Sequence, residues 1–221
     1  MGWASFGLAF FVFFLSHSIP VRPPLRPWLI ARLGTTGFTL IYSAMSLAVL
    51  VWLIVEAGGA PFVPIWNWAP WQSYVPLIVM FPVCIIITLS AGQPNPFSFG
   101  GAHNERFDPQ APGIVRFTRH PFLLALALWA LAHIVPNGDL AHVLLFGTFA
   151  VFAILGRKII DKRKKHALGA EWATLVQALR DRPVLLGNFS GLSKIRLMVG
   201  VFFYLALLAA HPAFISVSPM P

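Results

Sequence analysis

Six apolar stretches divide this sequence, and they constrain its fold more than any other feature. An α-helix needs about 20 mostly apolar residues to cross the hydrocarbon core of a bilayer. The stretches lie at about 2–19, 35–55, 74–89, 121–135, 140–160 and 197–210, and the third, fourth and sixth are shorter than a full span. The sequence therefore predicts an all-α membrane helix bundle of about six spans, forming one integral membrane domain over residues 1–221.

The composition excludes the two main alternatives to a membrane protein. The chain is 57% hydrophobic and 10% charged, and its mean hydropathy is +0.75. A soluble domain carries about 25% charged residues, and a disordered chain is poor in aromatic residues, whereas this one is 14% aromatic. No nucleic-acid-binding signature interrupts the apolar stretches. The net charge of +9 therefore concerns orientation and anionic lipid.

The basic residues predict the orientation of the spans. With six spans and the N-terminus outside, the inner loops are roughly 20–34, 90–120 and 157–196, and they hold all sixteen Lys and Arg residues. A basic region precedes the apolar core of a signal peptide, but here Arg22 and Arg26 follow the first stretch. We therefore expect a retained first span with basic loops in the cytoplasm.

Two segments near the membrane surface carry further predictions. Apolar residues recur at helical spacing within 166–180 (Leu168, Trp172, Leu175 and Leu179), which predicts a short amphipathic helix along the inner surface. The basic run before it indicates contact with anionic membrane lipid. Asp161 lies within that run and is expected to form local ion pairs. Asp139 follows Asn137-Gly138 in a tight turn and is expected to cap the fifth helix.

Histidines are the main ionisable residues of the spans, where such groups are functional candidates. His120 immediately precedes Pro121, which suits the first turn of a helix. Arg119 and His120 could together hold a phosphate, a carboxylate or a propionate at that helix N-terminus. The alternative is an interfacial histidine beside an arginine whose guanidinium reaches the headgroups.

Two other histidines suggest a haem site, because neutral imidazole ligates haem iron and aromatic walls suit a porphyrin. His17 lies in a Phe-rich helix, and His133 follows Trp129 by one turn. The alternative is a histidine hydrogen-bonded to another helix. His120 and His133 are about 20 Å apart along one helix, too far to ligate one iron. Depth in the membrane pairs His17 with His120, or His133 with His142 or His211.

The sequence resembles the NnrU family of bacterial membrane proteins, whose relative is 15-cis-zeta-carotene isomerase of plants and cyanobacteria. The resemblance covers about 1–165. Its motifs are His17-Ser18, Arg32-Leu33-Gly34 leading to Tyr42-Ser43 and Ser46-Leu47, Arg119-His120-Pro121 followed by Leu128-Trp129-Ala130-Leu131-Ala132-His133, Asn137-Gly138-Asp139-Leu140, and Leu144-Leu145-Phe146-Gly147. The loop at 98–106 is longer than the family pattern.

The resemblance implies a multi-pass protein of the bacterial inner membrane that binds haem b through His17 and His133, with Trp129 beside the cofactor. Depth instead pairs His17 with His120, and a tilted or re-entrant helix would reconcile the two. The family implies a role in nitrite and nitric oxide metabolism, or isomerisation of a carotene-like polyene reached laterally from lipid. Arg119 and His120 would steady an anionic group. A haem-carrying accessory subunit without enzymatic activity is the non-enzymatic alternative.

A second resemblance is to membrane methyltransferases of the isoprenylcysteine and phospholipid type, which use S-adenosylmethionine. In those enzymes an Arg-His-Pro opens a helix, and a Gly-x-Glu-aromatic segment and an Arg-Pro follow. The matching residues are Arg119-His120-Pro121, Gly169-Ala170-Glu171-Trp172 and Arg182-Pro183. Ala170 stands where a second acidic residue is expected, so the constellation is incomplete.

Overall fold

The structure is a computed structural model, and it describes residues 2–181 and 191–220. Within these residues the chain is helical and has no β-strand, which confirms the predicted all-α membrane bundle. The α-helices, numbered in chain order, are α1 Trp3–Ser18, α2 Leu25–Gly58, α3 Tyr74–Ser90, α4 Pro121–Ile134, α5 Leu140–Leu168, α6 Ala170–Arg180 and α7 Gly191–Ile215. Short 3₁₀ turns lie at Pro70–Ser73, Asn104–Arg106 and Gly113–Arg116.

Each of the six predicted spans falls on a helix. Among the described residues, α2, α5, α7 and the segment Pro70–Ser90 are long and apolar enough to cross a bilayer. The 3₁₀ turn before α3 supplies the length that the third stretch lacked, whereas α1 and α4 remain shorter, at 16 and 14 residues. At most a third of the residues in the most apolar part of each of these four segments are buried within the protein, as expected of helices whose side chains face lipid.

A glycine interrupts the second helix just before the predicted start of its span. Gly34 has a φ of 71° and a ψ of 167°, so the helix is broken there although its two parts are continuous in sequence. A residue with a side chain rarely adopts this positive φ. The break explains why α2 begins at Leu25 whereas the apolar stretch begins near residue 35.

The described residues divide into two compact units. The first unit comprises the residues up to Trp66 together with Asp139–Leu145, and in it α1 packs against α2.

Asp139 Oδ1 accepts a hydrogen bond from the backbone N–H of His142 at 3.2 Å, which confirms its predicted role as the cap of α5.

The second unit comprises Asn67–Gly138 and the described residues from Phe146 onward. In it α3 packs against both α4 and α7, and α4 packs against α5. The α4–α5 contact is built from Leu123, Ala127 and Ala153, all buried. Small residues allow close approach of membrane helices, where the hydrophobic effect does not drive association.

The helix expected within 166–180 is α6, and protein covers its apolar face. Leu179 is buried, and Trp172, Leu175 and Val176 pack against the same cluster. Their partners come from the connection between α3 and α4: Phe97, Phe107, Ile114 and Val115. This contact holds α6 against the α3–α4 connection, where the candidate site lies.

Packing of α7 on α3 predicts a specific sensitivity at Gly200. A Cβ there would meet Thr88 Oγ1 at 2.6 Å and Ile85 Cδ1 at 2.7 Å, so the helices must separate. We expect Gly200→Ala to lower the free energy of unfolding by about 1–3 kcal/mol through overpacking, measured by denaturation in mixed micelles.

Gly147 provides the matched control, because it also lies in a helix and a Cβ there would meet nothing within 4 Å. Gly147→Ala should leave stability unchanged or raise it slightly. Equal destabilisation by both substitutions would contradict the α3–α7 packing.

Candidate functional site

His120 is the centre of a buried polar network at the start of α4. Its side chain is 3% exposed, and both ring nitrogens are hydrogen-bonded. Nδ1 lies 3.0 Å from Ser98 Oγ, and Nε2 lies 2.8 Å from Asp161 Oδ1. Pro121 at the first helical position is itself buried, so the backbone and the ring are both fixed.

The carboxylate of Asp161 also binds Arg119. Its Nη2 donates to Asp161 Oδ2 at 2.7 Å and its Nε to Oδ1 at 3.4 Å, while the guanidinium carbon lies 5.8 Å from the centre of the Trp172 ring. The prediction that Asp161 forms local ion pairs is wrong. Its partners lie 41 and 42 residues earlier in the chain, because the folded connection before α4 brings Arg119 and His120 to the end of α5.

Asn95 fixes the loop that carries Ser98. Its side-chain amide donates to the carbonyl of Arg119 at 3.0 Å, and its Oδ1 accepts from the N–H of Phe97 at 3.0 Å. Its own N–H donates to Asn104 Oδ1 at 2.8 Å. The long loop that departs from the family pattern therefore includes part of the support for His120.

The Ser98–His120–Asp161 array has the residue types of a hydrolase triad but lacks an accessible nucleophile. A triad serine must reach the substrate carbonyl, and Ser98 is only 3% exposed. It also does not line the adjacent cavity, whose wall includes His120 and Asp161. We therefore interpret Ser98 as a positioning residue for the imidazole.

The network borders a cavity of about 520 Å³. Its described lining includes one acidic side chain, Asp161, and five basic side chains. The basic residues are Arg116, Arg119, Arg157, Lys158 and Arg180. Val176 and Leu179 of α6 form part of its apolar wall. The cavity is therefore strongly positive, which suits an anion and not a cation.

Burial is the main cause of a lowered pKa at His120. The positive charges of Arg119 and Arg157 lower the pKa further, and the hydrogen bond and charge of Asp161 offset only part of the effect. The ring is therefore neutral at physiological pH. In that state Nε2–H donates to the Asp161 carboxylate, and Nδ1 accepts from the Ser98 hydroxyl.

His17 and His133 share one hydrogen-bond arrangement. Nδ1 of His17 lies 2.8 Å from the carbonyl oxygen of Phe13, and Nδ1 of His133 lies 2.8 Å from that of Trp129. A carbonyl only accepts, so Nδ1 carries the proton in both residues and the lone pair is on Nε2. Imidazoles that ligate metals are oriented in this way. His120 differs, since neither of its ring nitrogens is left for iron.

Aromatic side chains surround each of these histidines. The ring of Phe13 stacks on His17 at a centroid distance of 4.0 Å. In the second unit Trp129 and Phe146 lie 5.6 Å and 5.4 Å from the ring of His133. Trp129 therefore stands beside His133.

In two more histidines, Nδ1 lies within hydrogen-bond distance of an oxygen acceptor. His142 Nδ1 lies 2.7 Å from Asp139 Oδ2, and His211 Nδ1 lies 2.8 Å from the carbonyl oxygen of Val217. His211 lies within electrostatic range of His133 in the second unit. Among the residues that the structure describes, no three His, Cys, Asp or Glu side chains form a metal-binding group. Haem iron needs only one or two protein ligands.

The methyltransferase residues do not come together in the described structure. Arg119 and His120 line the cavity, but Glu171 is exposed at the start of α6 and is not part of its lining. Arg182-Pro183 lies outside the described residues.

Sequence reasoning missed Ser98, Asn95 and the long-range role of Asp161. Asp161 is the single acidic residue of α5, and seven basic residues lie in the same helix if His166 is counted and His142 is not. These basic neighbours made local ion pairs the expected outcome, so the sequence carried no signal for partners in a distant segment. Ser98 and Asn95 lie in an irregular loop without a periodic pattern.

Comparison with known proteins gives one match. The sequence model of the NnrU family, described as NnrU protein, matches residues 5–219, nearly the whole chain. No curated protein and no solved structure matches.

The network predicts that Asp161→Asn destabilises the protein. The substitution removes the charge that pairs with Arg119 and one acceptor of His120. We expect a loss of about 2 kcal/mol in the free energy of unfolding, measured in mixed micelles. Asp181→Asn is the control, since Asp181 bonds only an exposed Gln177 among its described partners, and it should change stability by less than about 0.5 kcal/mol. Equal losses would contradict the network.

The lowered pKa of His120 predicts a loss of stability on acidification. The unfolded chain takes up a proton at this histidine as pH falls below about 6.5, whereas the folded chain takes it up only at lower pH. Stability should therefore fall from pH 7.5 to pH 5.5, and His120→Gln should reduce this dependence. An unchanged pH dependence in the variant would contradict the neutral, buried imidazole.

Proposed function

The chain belongs to the NnrU family, and we propose that it is an integral membrane haem b protein with His17 and His133 as candidate iron ligands. One observation carries the proposal. Each imidazole donates Nδ1–H to the carbonyl four residues earlier, so the lone pair that can bind iron is on Nε2. Haem binding is compatible with both the nitrogen-oxide role and the isomerase role that the family resemblance implies.

The surroundings of the two histidines fit a porphyrin. Phe13 stacks on His17, and Trp129, Phe146 and Phe149 form an aromatic group beside His133. In the first unit Tyr42 donates to the carbonyl of His17 at 3.4 Å. One turn further along α2, the buried Oγ of Ser46 has no hydrogen-bond partner among the described residues. Such an orphaned hydroxyl is typical of a place where a further polar group binds.

Haem b, when bound, supplies a redox-active iron that also acts as a Lewis acid. The protein residues would contribute in two ways. The backbone carbonyls of Phe13 and Trp129 fix the tautomer of each histidine and raise its basicity. The aromatic and aliphatic side chains exclude water, which favours neutral or apolar reactants such as a nitrogen oxide or a polyene that arrive through the bilayer.

His211 is the alternative second donor. It lies within electrostatic range of His133, and its Nδ1 is bonded to the carbonyl of Val217, so its Nε2 also carries the lone pair. Family resemblance favours His17, whereas depth in the membrane pairs His133 with His142 or His211. Single variants at each position separate the two.

We also propose the orientation that the charge distribution favours, in the inner membrane of a bacterium with the N-terminus outside. In this orientation Arg119, His120 and the basic end of α5 face the cytoplasm. The excess of Lys and Arg in the loops at 20–34, 90–120 and 157–196 supports it.

An absorption spectrum of the purified protein tests haem binding. We expect a Soret band that shifts when dithionite reduces the iron. His17→Ala and His133→Ala should each lose or strongly weaken this band, because the iron loses a nitrogen donor, and added imidazole should restore it in a folded variant. His166→Ala is the control, since His166 lies exposed among the basic residues of α5, and it should keep the band.

Several results would contradict the proposal. A colourless protein from haem-replete cells would overturn it, and binding of S-adenosylmethionine by that protein would favour the methyltransferase alternative. Loss of the band in His211→Ala but not in His17→Ala would replace the second ligand. Haem bound without turnover of nitrogen oxides or carotenes would assign the non-enzymatic accessory role.

A further inference from the structure

The basic cavity at the start of α4 has a composition that iron ligation by His17 and His133 does not explain. Five cationic side chains and one carboxylate line it, so its described wall carries a formal excess of four positive charges. Like charges gathered around one cavity repel each other. An anion bound there would remove that repulsion.

Arg119 differs from three other cations of the lining, because it forms an ion pair within the described part of the protein and they do not. Asp161 holds Arg119 through both of its carboxylate oxygens. Within residues 2–181 and 191–220, Arg157, Lys158 and Arg180 form no ion pair, and all three are exposed. They come from two helices, α5 and α6, that converge on the cavity. The arrangement resembles a receptor for a ligand with more than one negative oxygen.

The residue types favour phosphate. A guanidinium presents a planar pair of N–H donors that matches two phosphate oxygens, and an ammonium adds a compact positive charge. Thr118 lies in the same wall and offers a hydroxyl. The N-terminus of α4 opens nearby and adds the positive end of a helix dipole.

The apolar part of the wall indicates where the phosphate would come from. Phe117 and Ile154 line the cavity and are 52% and 48% exposed. Ile154 lies in the apolar part of α5, while Arg157 and Lys158 begin its charged end. The cavity wall therefore includes both exposed apolar side chains and cationic side chains, as an anionic lipid headgroup with its acyl chains requires.

We propose that this cavity binds a phosphate group, and that the phosphate belongs to an anionic membrane lipid. The proposal is independent of haem binding. In it Asp161 holds Arg119 in place against Trp172, and Arg157, Lys158 and Arg180 neutralise the headgroup. The apolar residues Phe117 and Ile154 contact the start of the acyl chains.

Ligand-dependent stabilisation of the full chain in a neutral detergent tests the proposal. A ligand that binds only the folded state raises the unfolding midpoint with concentration. The probes are dioctanoyl phosphatidylglycerol, dioctanoyl phosphatidylcholine and pyrophosphate. We expect saturable stabilisation by phosphatidylglycerol, little by the zwitterionic phosphatidylcholine, and weak stabilisation by pyrophosphate, which lacks acyl chains.

A matched pair of double variants locates the effect. Arg157→Gln/Lys158→Gln removes two cavity cations and should weaken phosphatidylglycerol binding at least about tenfold. Arg163→Gln/Lys164→Gln removes the same two residue types from the same helix, outside the cavity lining, and should change binding less than about twofold. The swap Arg157→Lys/Lys158→Arg conserves the charge and should retain binding, and the unfolding midpoint without ligand reports whether each variant folds.

Each outcome decides the proposal. Site-dependent binding of phosphatidylglycerol supports the phosphate site and its lipid source. Site-dependent binding of pyrophosphate alone supports the phosphate site and assigns it to a soluble ligand. Equal weakening by the two double variants would show a diffuse effect of basic charge and overturn the site, as would the absence of saturable stabilisation by any probe.

Discussion

The carboxylate of Asp161 organises the polar end of the second unit. It binds Arg119 and His120 at once, with contacts of 2.7 Å and 2.8 Å, and these two residues precede α4 directly. The contact joins the start of α4 to the end of α5 across more than 40 residues of sequence. Partial burial of the cluster strengthens these interactions compared with an exposed pair. The shape of the basic cavity depends on this one acid, because its carboxylate fixes Arg119 in the lining.

The candidate-site histidines differ in how many of their ring nitrogens are hydrogen-bonded within the protein. His120 uses both ring nitrogens within the protein, so it is a structural centre and its neutral form is maintained by burial. His17 and His133 use only Nδ1, against a carbonyl of their own helix. The difference separates the candidates: His120 has both ring nitrogens in hydrogen bonds within the protein, whereas His17 and His133 keep the lone pair on Nε2.

The sequence predicts the helices well and the polar network poorly, for physical reasons. Long apolar stretches can only be helices in lipid, so each of the six falls on a helix, and the capping role of Asp139 follows from a local turn. The kink at Gly34 moves the start of α2, and a 3₁₀ turn lengthens the third span. Asp161 shows the limit. Its basic neighbours satisfy every local rule for ion pairs, and only the folded connection before α4 reveals better partners.

We propose that imidazole nitrogens of this NnrU-family protein ligate haem iron. Electron paramagnetic resonance of the oxidised, purified protein tests this most directly, because the spin state of ferric haem reports its axial ligands. We expect a low-spin ferric signal typical of two imidazole ligands, converted to a high-spin signal in His17→Ala and in His133→Ala. A low-spin signal that survives both substitutions, or a protein without haem, would contradict it.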